Sequence, residues 1–502
     1  MKSRPSASVA EGIGLAWALG MAYLTAAYFT CYLCGLSVAL CTVIAVVVAC
    51  VLGGATLAWG RLPRQTLARP RPRAASYPAL FTRTAEHCSW DRQGTRLRVP
   101  CRPALPAGMP AVPGRVVPPS PVPLNNPGYI GLVALGCTIL PVAVMAWMAV
   151  RSPLAGWDGW SVWAFKARAF ADGGPTLAYF RDPITLHTHP DYPLNLPIAE
   201  SLLFHLPDSA SFPLVTLLGP ACFAALLCLV FAGLARVYGP ETAAIGVAIL
   251  GGMPIFLYNA PGAGADVPLC LYTGGAAVYL LAWWTQGRRR DAVLAGLLAG
   301  GAAWTKKEGL AVAAITMLVF TGYELLRRQG WRKEAIAGVL LPLCAAAAIP
   351  LPWLLFAHVA QPLPRDFGPV TPATLLRHLD RLPRVALVMG RQMLTFSNWG
   401  PFWPLVGLAL AVRGRHLPAP GRGLAVLLAA QLGLYVGVFE FSNWQPYVAH
   451  AQGTLDRLLL QATPLACLTL IACAHQTKAA ARRAPVEMGR RRRVTMARRA
   501  AS

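Results

Sequence analysis

Apolar runs alternate with short polar or basic stretches along most of the 502-residue chain. A helix needs about 20 apolar residues to cross the hydrocarbon core of a bilayer. The pattern therefore predicts an all-α, polytopic membrane protein of about 12 transmembrane helices. The candidate spans are 12–34, 37–59, 128–150, 213–235, 241–258, 267–285, 291–305, 309–326, 334–357, 399–412, 423–440 and 457–475.

Basic residues fall in short bursts between these runs, at 61–73, 288–290, 327–333, 413–422 and 478–499. Cytoplasmic loops of membrane proteins carry an excess of Lys and Arg. With the N-terminus inside, the alternation places all five bursts in the cytoplasm and 151–212, 259–266, 306–308, 358–398 and 441–456 outside. We expect a multi-pass protein of the cytoplasmic (inner) membrane with both termini in the cytoplasm.

Four regions follow from this arrangement. We predict an N-terminal transmembrane helix pair at 1–59, which has a basic start but no cleavage site and therefore indicates a retained anchor. Residues 60–127 are rich in Pro and Arg and predict a cytoplasmic linker of low order. A transmembrane core at 128–476 includes the outer loop 151–212, and a basic cytoplasmic tail follows at 477–502.

Composition narrows the class of protein. The chain is 56% hydrophobic and 13% charged, which is too apolar for a soluble multi-domain protein. The net charge of +25 indicates orientation and contact with membrane lipids, so no nucleic-acid partner is expected. Most cysteines lie inside apolar runs without the spacing of metal ligands, which favours small buried side chains.

The first large outer loop carries the densest polar and aromatic stretch, 156–197. Trp157, Trp160 and Trp163 recur at helical spacing, and Asp158 and Lys166 fall near one face. An interfacial amphipathic helix anchored by tryptophan explains this spacing, and a simple structural brace is the alternative. A carboxylate so close to the end of an apolar run is costly without a partner or a role, so Asp158 is a candidate functional residue.

The same loop continues with His187, His189 and Asp191, whose alternation could hold a metal in an extended segment. Three ligands from one short loop are a weak signal. Loop structure or substrate contact is the preferred interpretation, and no metal ligand is assigned. No cofactor is expected to be required, while a divalent cation remains an open alternative.

Further charges lie at the ends of later spans, on the side predicted to be outside. Asp266 opens a helix, where an acid also complements the helix dipole. Lys306, Lys307 and Glu308 interrupt two apolar half-runs, either as a phosphate site or as a turn whose lysines reach headgroups. Arg457, at the start of the final span, either pairs with its neighbour Asp456 or faces the same pocket as the lysines.

The segments WDGWSVWAFKARAF, HPDYPLNLP, GADVPL, WTKKEG and LDRLLLQATP together resemble the GT-C superfamily of membrane glycosyltransferases. The resemblance is to the bacterial branch related to dolichyl-phosphate-mannose protein mannosyltransferases and lipid A aminoarabinose transferases, and it runs from about Tyr129 to about Leu470. It implies a GT-C-like fold. It also implies transfer of a sugar from a polyprenyl-phosphate carrier on the outer face of the membrane to a glycan, lipid or protein acceptor.

The resemblance also implies roles for residues. Asp158 would be the general base, the family's second-loop acid would fall on Asp266, and its lysine on Lys306 or Lys307. Many relatives carry two acids where this chain has only Asp158 between Trp157 and Gly159, which puts a two-acid metal arrangement in doubt.

Glycosyl transfer from a phosphate carrier needs a carboxylate for the acceptor proton and cations for the leaving phosphate. We therefore predict catalytic roles for Asp158, Asp266 and Glu308. Phosphate or donor binding is predicted for Lys166, Lys306, Lys307 and Arg457, and substrate contact for Trp157, Arg168, His189, Asp191 and Tyr192. A flippase or transporter of lipid-linked sugar and a glycan polymerase or ligase are the alternative functions.

Overall fold

The computed structural model describes residues 5–59, 127–328, 333–362 and 366–500. Within these ranges the chain forms helices and one isolated antiparallel bridge, between Phe367 and Ser442. The all-α prediction is therefore confirmed for the described residues. The predicted linker 60–127 lies outside them except for Pro127, and so do the side chains of the tail 477–502.

Long helices build the body of the protein, and short helices fill the loops between them. The helices are α1 (Pro5–Leu33), α2 (Val38–Trp59), α3 (Pro127–Arg151), α4 (Phe165–Gly173), α5 (Leu177–Arg181), α6 (Asn195–Leu203), α7 (Asp208–Val237), α8 (Pro240–Gly251), α9 (Pro254–Asn259), α10 (Asp266–Gln286), α11 (Arg289–Thr305), α12 (Lys307–Arg328), α13 (Lys333–Ala348), α14 (Leu351–Ala360), α15 (Pro372–Arg377), α16 (Arg381–Met393), α17 (Phe396–Trp399), α18 (Phe402–Arg413), α19 (Ala419–Gly437) and α20 (Tyr447–Ala500).

Every predicted span coincides with a helix or with a pair of bent helices. In the described residues seven helices are long and apolar enough to cross a membrane, or nine if each bent pair is one span. The pairs α8–α9 and α13–α14 bend by 58° and 54°, and Pro254 and Pro350 stand at the two breaks because a proline cannot continue the hydrogen-bond ladder. The protein is polytopic, and the number of about 12 spans stays a prediction.

Helix α10 lies at the centre and is almost wholly buried, packed by α7, α11 and α20. The turn at Gly287 and Arg288 sends α11 back along α10, so the C-terminal end of α11 returns to the N-terminal end of α10. At 1.5 Å per residue, the two ends of α10 are about 30 Å apart. Asp266 and Lys306, 40 residues apart in sequence, are therefore brought to the same end of the bundle.

A buried polar network fixes the loop helix α6 at that same end. Asn195 accepts a hydrogen bond from Thr25 of α1 and donates to Tyr272 of α10 and to Thr305 of α11. Trp304 also donates to Thr25, at 2.9 Å. Because buried polar groups are stable only when paired, this network holds α6 in one register against α1, α10 and α11.

Candidate active site

Asp158 owes its position to the glycine that follows it. A Cβ atom on Gly159 would lie 2.1 Å from the carbonyl oxygen of Gly262, and one on Gly156 would lie 3.1 Å from the same oxygen. Only glycine permits so close a backbone approach. The Asp158 segment thus packs directly on the loop that leads into α10, which brings it close to Asp266.

Asp266 occupies the first turn of α10, and only 5% of its side chain is exposed. Its carboxylate accepts three hydrogen bonds, at 2.9 Å from Lys306 Nζ, 2.7 Å from Arg457 Nε and 2.7 Å from Gln461 Nε2. A buried charge is tolerable when it is paired and hydrogen-bonded in this way. Asp266 is therefore the anchor of the cluster.

Arg457 joins the two acids that sequence had separated. Its Nε bonds Asp266, and its Nη1 donates to Asp158 Oδ2 at 2.5 Å across 299 residues of sequence. The guanidinium presents its donors in a fixed plane, so one arginine can hold two carboxylates at a defined spacing. The sequence left two alternatives for Arg457, pairing with Asp456 or facing the same pocket as the lysines. These side-chain contacts match the second alternative. The main-chain N–H of Arg457 also bonds Asp456.

Lys306 is an extended residue between α11 and α12, and it lies between two acids. Its Nζ is 2.9 Å from Asp266 and 3.2 Å from Glu308. Burial alone would lower the pKa of Lys306, but the carboxylates of Asp266 and Glu308 outweigh burial and raise it. Lys306 therefore stays charged at neutral pH.

These groups surround a cavity of about 290 Å³. Asp158, with 39% of its side chain exposed, lines it together with Lys306, Glu308 and Arg457. A partly exposed acid beside two cations can accept a proton from one ligand group while the cations bind an anionic one. The remaining lining residues are Trp157, Val162, Trp163, His189, Tyr192, Asp366, Phe367, Val438, Phe439, Trp444, Ala449, His450, Gly453, Thr454 and Leu458.

Aromatic residues form another wall of the cavity, and part of this wall depends on the isolated bridge. Gly368 N–H donates to Phe441 at 2.8 Å and Asn443 N–H donates to Asp366 at 2.9 Å, which place Asp366 and Phe367 beside the cavity. Trp444 Nε1 donates to Asp366 Oδ1 at 2.9 Å, and its ring stacks on His450 with 5.0 Å between centroids.

The 187–192 loop contributes His189 and Tyr192 to the lining. His189 has a left-handed backbone, with φ of 51°, and its Nδ1 lies 3.0 Å from Asp366 Oδ2. Asp191 does not line the cavity; it pairs with Lys307, whose ammonium lies 5.6 Å from the centre of the Tyr192 ring. Asp191 and Lys307 thus brace the loop behind the wall.

Lys166 and Arg168 do not reach the cavity, contrary to the expected placement. Lys166 is fully buried and donates to the carbonyl of His189 at 2.7 Å, and burial lowers its pKa to about 7. Arg168 pairs on the surface with Asp208 and Asp172. The roles assigned to these two residues stay predictions, and neither has a contact with the cavity.

The prediction that Trp157, Trp160 and Trp163 lie together on an interfacial helix is wrong for Trp163. Trp157 and Trp160 are 70% and 47% exposed, whereas Trp163 is 1% exposed and packs on Tyr192. Residues Gly159–Ala164 form a π-helix before α4 begins, and its wider turn changes the angular offset that α-helical spacing predicts. For the same reason Asp158 and Lys166 do not share a face.

Sequence reasoning missed several residues of the site. Gln461 follows Arg457 by one helical turn on α20, and this spacing could have indicated a shared face. Tyr435 donates to Gln461 at 3.0 Å and so orients it toward Asp266. Asp366 and Trp444 had no comparable signal, because a bridge between distant loops places them.

Among the described residues, no group of three or more His, Cys, Asp or Glu side chains is placed to hold a metal ion. The cofactor expectation stays a prediction.

No protein-family model matches the chain, and no curated protein matches it in sequence. Among solved structures, the chain is similar to ArnT from Cupriavidus metallidurans bound to undecaprenyl phosphate, with 16% identity and a TM-score of 0.46. The similarity covers 69% of this chain and 60% of that one. The chain thus spans less than two thirds of the structure it matches.

Proposed function

We propose that the chain is a GT-C-like membrane glycosyltransferase. It moves a sugar from a polyprenyl-phosphate carrier to an acceptor hydroxyl on the outer face of the cytoplasmic membrane. The observation that carries the proposal is the meeting of Asp158, Arg457 and Lys306 at one cavity of a multi-pass membrane protein. A carboxylate facing two cations is the set of groups that this reaction needs.

Each group has a task in the transfer. Asp158 takes the proton from the acceptor hydroxyl as its oxygen forms a bond to the anomeric carbon. The bond between that carbon and the carrier phosphate breaks, and its electron pair stays on the phosphate oxygen. Arg457 and Lys306 stabilise the charge that develops on the departing lipid phosphate. Asp266 and Gln461 hold Arg457 and Lys306 in place.

The aromatic wall suits the sugar. Trp157 and Trp444 expose much of their rings at the cavity, and Tyr192 and His450 complete it. Such rings pack against the apolar face of a pyranose or furanose, while Asp366 and His189 offer hydrogen bonds to hydroxyl groups. A hexose or a pentose is the expected donor sugar, and the acceptor is a glycan, a lipid or a protein.

The charge distribution supports an outer location of the cavity. The site residues Asp266, Lys306 and Glu308 lie at one end of α10, α11 and α12, whereas Arg236 and Arg327 lie at the opposite ends of α7 and α12. Because Lys and Arg are enriched on the cytoplasmic side, the cavity belongs on the other side. Both termini are then cytoplasmic, as proposed from the sequence.

The test is mass spectrometry of envelope lipids, glycans and proteins from cells that lack the gene and carry either the wild-type chain or a variant. We expect a sugar-bearing product to disappear on deletion and to return with the wild type. Asp158→Asn should reduce its formation by about 10²- to 10⁴-fold. The matched control is Asp172→Asn, which removes an acid from a surface ion pair with Arg168 and should restore the product fully.

Other outcomes would contradict the proposal. Full product formation by Asp158→Asn would remove Asp158 from the mechanism. Accumulation of intact lipid-linked donor on the cytoplasmic leaflet would favour a flippase, and loss only of long glycan chains would favour a polymerase or ligase.

A further inference from the structure

Asp158 is not free in this structure. Its Oδ2 accepts a hydrogen bond from Arg457 at 2.5 Å, and hydrogen bonds between charged groups are among the strong ones. A carboxylate paired with a guanidinium is a weaker base than one without a cationic partner, because the nearby positive charge favours its ionised form. The general base of the proposed reaction is thus engaged by the residue that is proposed to bind the donor phosphate.

The cluster has no spare positive charge for an incoming anion. Lys306 and Arg457 are its two cations, and Asp158, Asp266 and Glu308 already bond them. Adding a phosphate to this set would place a further negative charge beside carboxylates in a half-buried site, which is unfavourable. A phosphate therefore binds Arg457 with the least repulsion when it replaces one of the two carboxylate partners.

The two partners of Arg457 differ in how firmly they are held. Asp266 is buried with 5% of its side chain exposed and has three donors, including Lys306 and Gln461. Asp158 is 39% exposed and has Arg457 as its cationic partner. An exposed ion pair contributes little to stability, whereas breaking a buried pair is strongly destabilising. Asp158 is therefore the exchangeable partner.

We propose that the donor phosphate displaces Asp158 from Arg457, so that Asp158 becomes a stronger base when the donor is bound. This exchange rests on the proposed function. Arg457 keeps two anionic partners throughout, and its planar donors suit a phosphate as well as a carboxylate. The released carboxylate then faces the cavity beside the donor, where the acceptor hydroxyl must come. Donor binding therefore promotes deprotonation of the acceptor.

The exchange predicts that replacing Asp158 strengthens the binding of the donor phosphate. A direct role of Asp158 in donor binding would predict that the same replacement weakens it. If Asp158 competes with the phosphate, Asp158→Asn binds undecaprenyl phosphate about two- to fivefold more tightly than the wild type, as the worth of an exposed ion pair implies. The measurement is equilibrium binding of radiolabelled undecaprenyl phosphate to the full chain in nanodiscs. Asp158→Ala should behave like Asp158→Asn, and thermal melting of both variants verifies that they are folded.

The matched control is Asp172→Asn. Asp172 pairs with Arg168 on the surface and does not line the cavity. Its replacement should leave the affinity for undecaprenyl phosphate unchanged. Equal tightening in Asp158→Asn and Asp172→Asn would overturn the exchange, because it would show a general effect of removing negative charge.

Two further results would be decisive. Unchanged or weaker binding by folded Asp158→Asn, while the wild type binds, overturns the exchange but leaves the proposed function standing. Absence of saturable binding in the wild type and both variants overturns the proposed use of a lipid-phosphate donor, and the exchange with it.

Discussion

Two carboxylates at opposite ends of the helix bundle have nearly the same set of partners. Asp266 bonds Lys306, Arg457 and Gln461 at one end. About 20 Å away along α10, Glu11 bonds Arg236, Arg290 and the hydroxyl of Tyr279. Each acid therefore joins two cations and one neutral donor.

The difference lies in what surrounds each cluster. The Asp266 cluster opens onto the 290 Å³ cavity through Lys306, Glu308, Arg457 and Asp158. None of the Glu11 cluster lines that cavity, whereas the Asp266 cluster is joined to Asp158, which is 39% exposed. A buried ion-pair network alone is thus weak evidence for a site, because it also serves to tie helices together. Access to the cavity and a partly exposed acid distinguish the two.

The strongest test of this comparison is a pair of isosteric variants, Asp266→Asn and Glu11→Gln. Each leaves two cations facing an amide instead of a carboxylate, and we expect each to lower the free energy of unfolding by about 3–5 kcal/mol. Glu11, being more exposed than Asp266, should fall at the lower end. Only Asp266→Asn should also reduce sugar transfer per folded molecule, because only Asp266 orients Arg457 and Lys306 at the cavity.

The measurement combines thermal melting in detergent with product formation normalised to the folded protein. If Glu11→Gln lost activity per folded molecule as strongly as Asp266→Asn, the two clusters would be functionally coupled and the comparison would fail.

A second prediction concerns the placement of Asp158. In Gly159→Ala the new methyl group would meet the carbonyl of Gly262 at 2.1 Å, so the backbone must move and carry Asp158 with it. A displacement of about 1 Å in an active site can cost about 10²-fold in rate, and we expect a loss of that order. Transfer assays of membranes with matched protein content would measure it.

Gly136→Ala provides the control, since a Cβ atom at Gly136 meets nothing within 4 Å. It lies on α3, the helix that leads into the same loop, and should leave transfer unchanged. Equal activity of both variants would show that the close approach at Gly159 does not position the acid.

Features that depend on local composition could be predicted from the sequence, whereas features that depend on contacts between distant segments could not. Apolar runs predicted the helices because burial or lipid contact depends on local composition. The charges at Asp158, Asp266 and Lys306 could be selected because ionisable groups at span ends are costly without a partner. The inward turn of Lys166 could not be predicted, because it depends on the π-helix at Gly159–Ala164. The position of Asp366 at the cavity could not be predicted, because the bridge between Phe367 and Ser442 joins loops that are far apart in sequence.

The smallest expected effect concerns Lys166, a buried cation with no access to the cavity. Its amine bonds the carbonyl of His189 and lies near Asp191, Glu200 and Lys307. Burial lowers its pKa to about 7, whereas an unfolded lysine keeps its proton up to about pH 10.4. Between these values the unfolded chain binds more protons at this residue, so Lys166 makes the folded state more stable as pH rises.

Glu200 has the opposite effect, because burial raises its pKa and its folded form keeps a proton that the unfolded chain has lost. Both the wild type and Lys166→Met contain Glu200. Most of the Glu200 contribution therefore cancels when the unfolding free energy of one protein is subtracted from that of the other. As pH rises from 7 to 9, we expect unfolding free energies to shift in favour of the wild type by up to about 1.4 kcal/mol per pH unit. Melting curves at several pH values measure this shift. If the unfolding free energies of the two proteins changed in parallel with pH, burial would not lower the pKa of Lys166. A buried lysine away from the cavity would then keep its charge as well as one that lines the cavity.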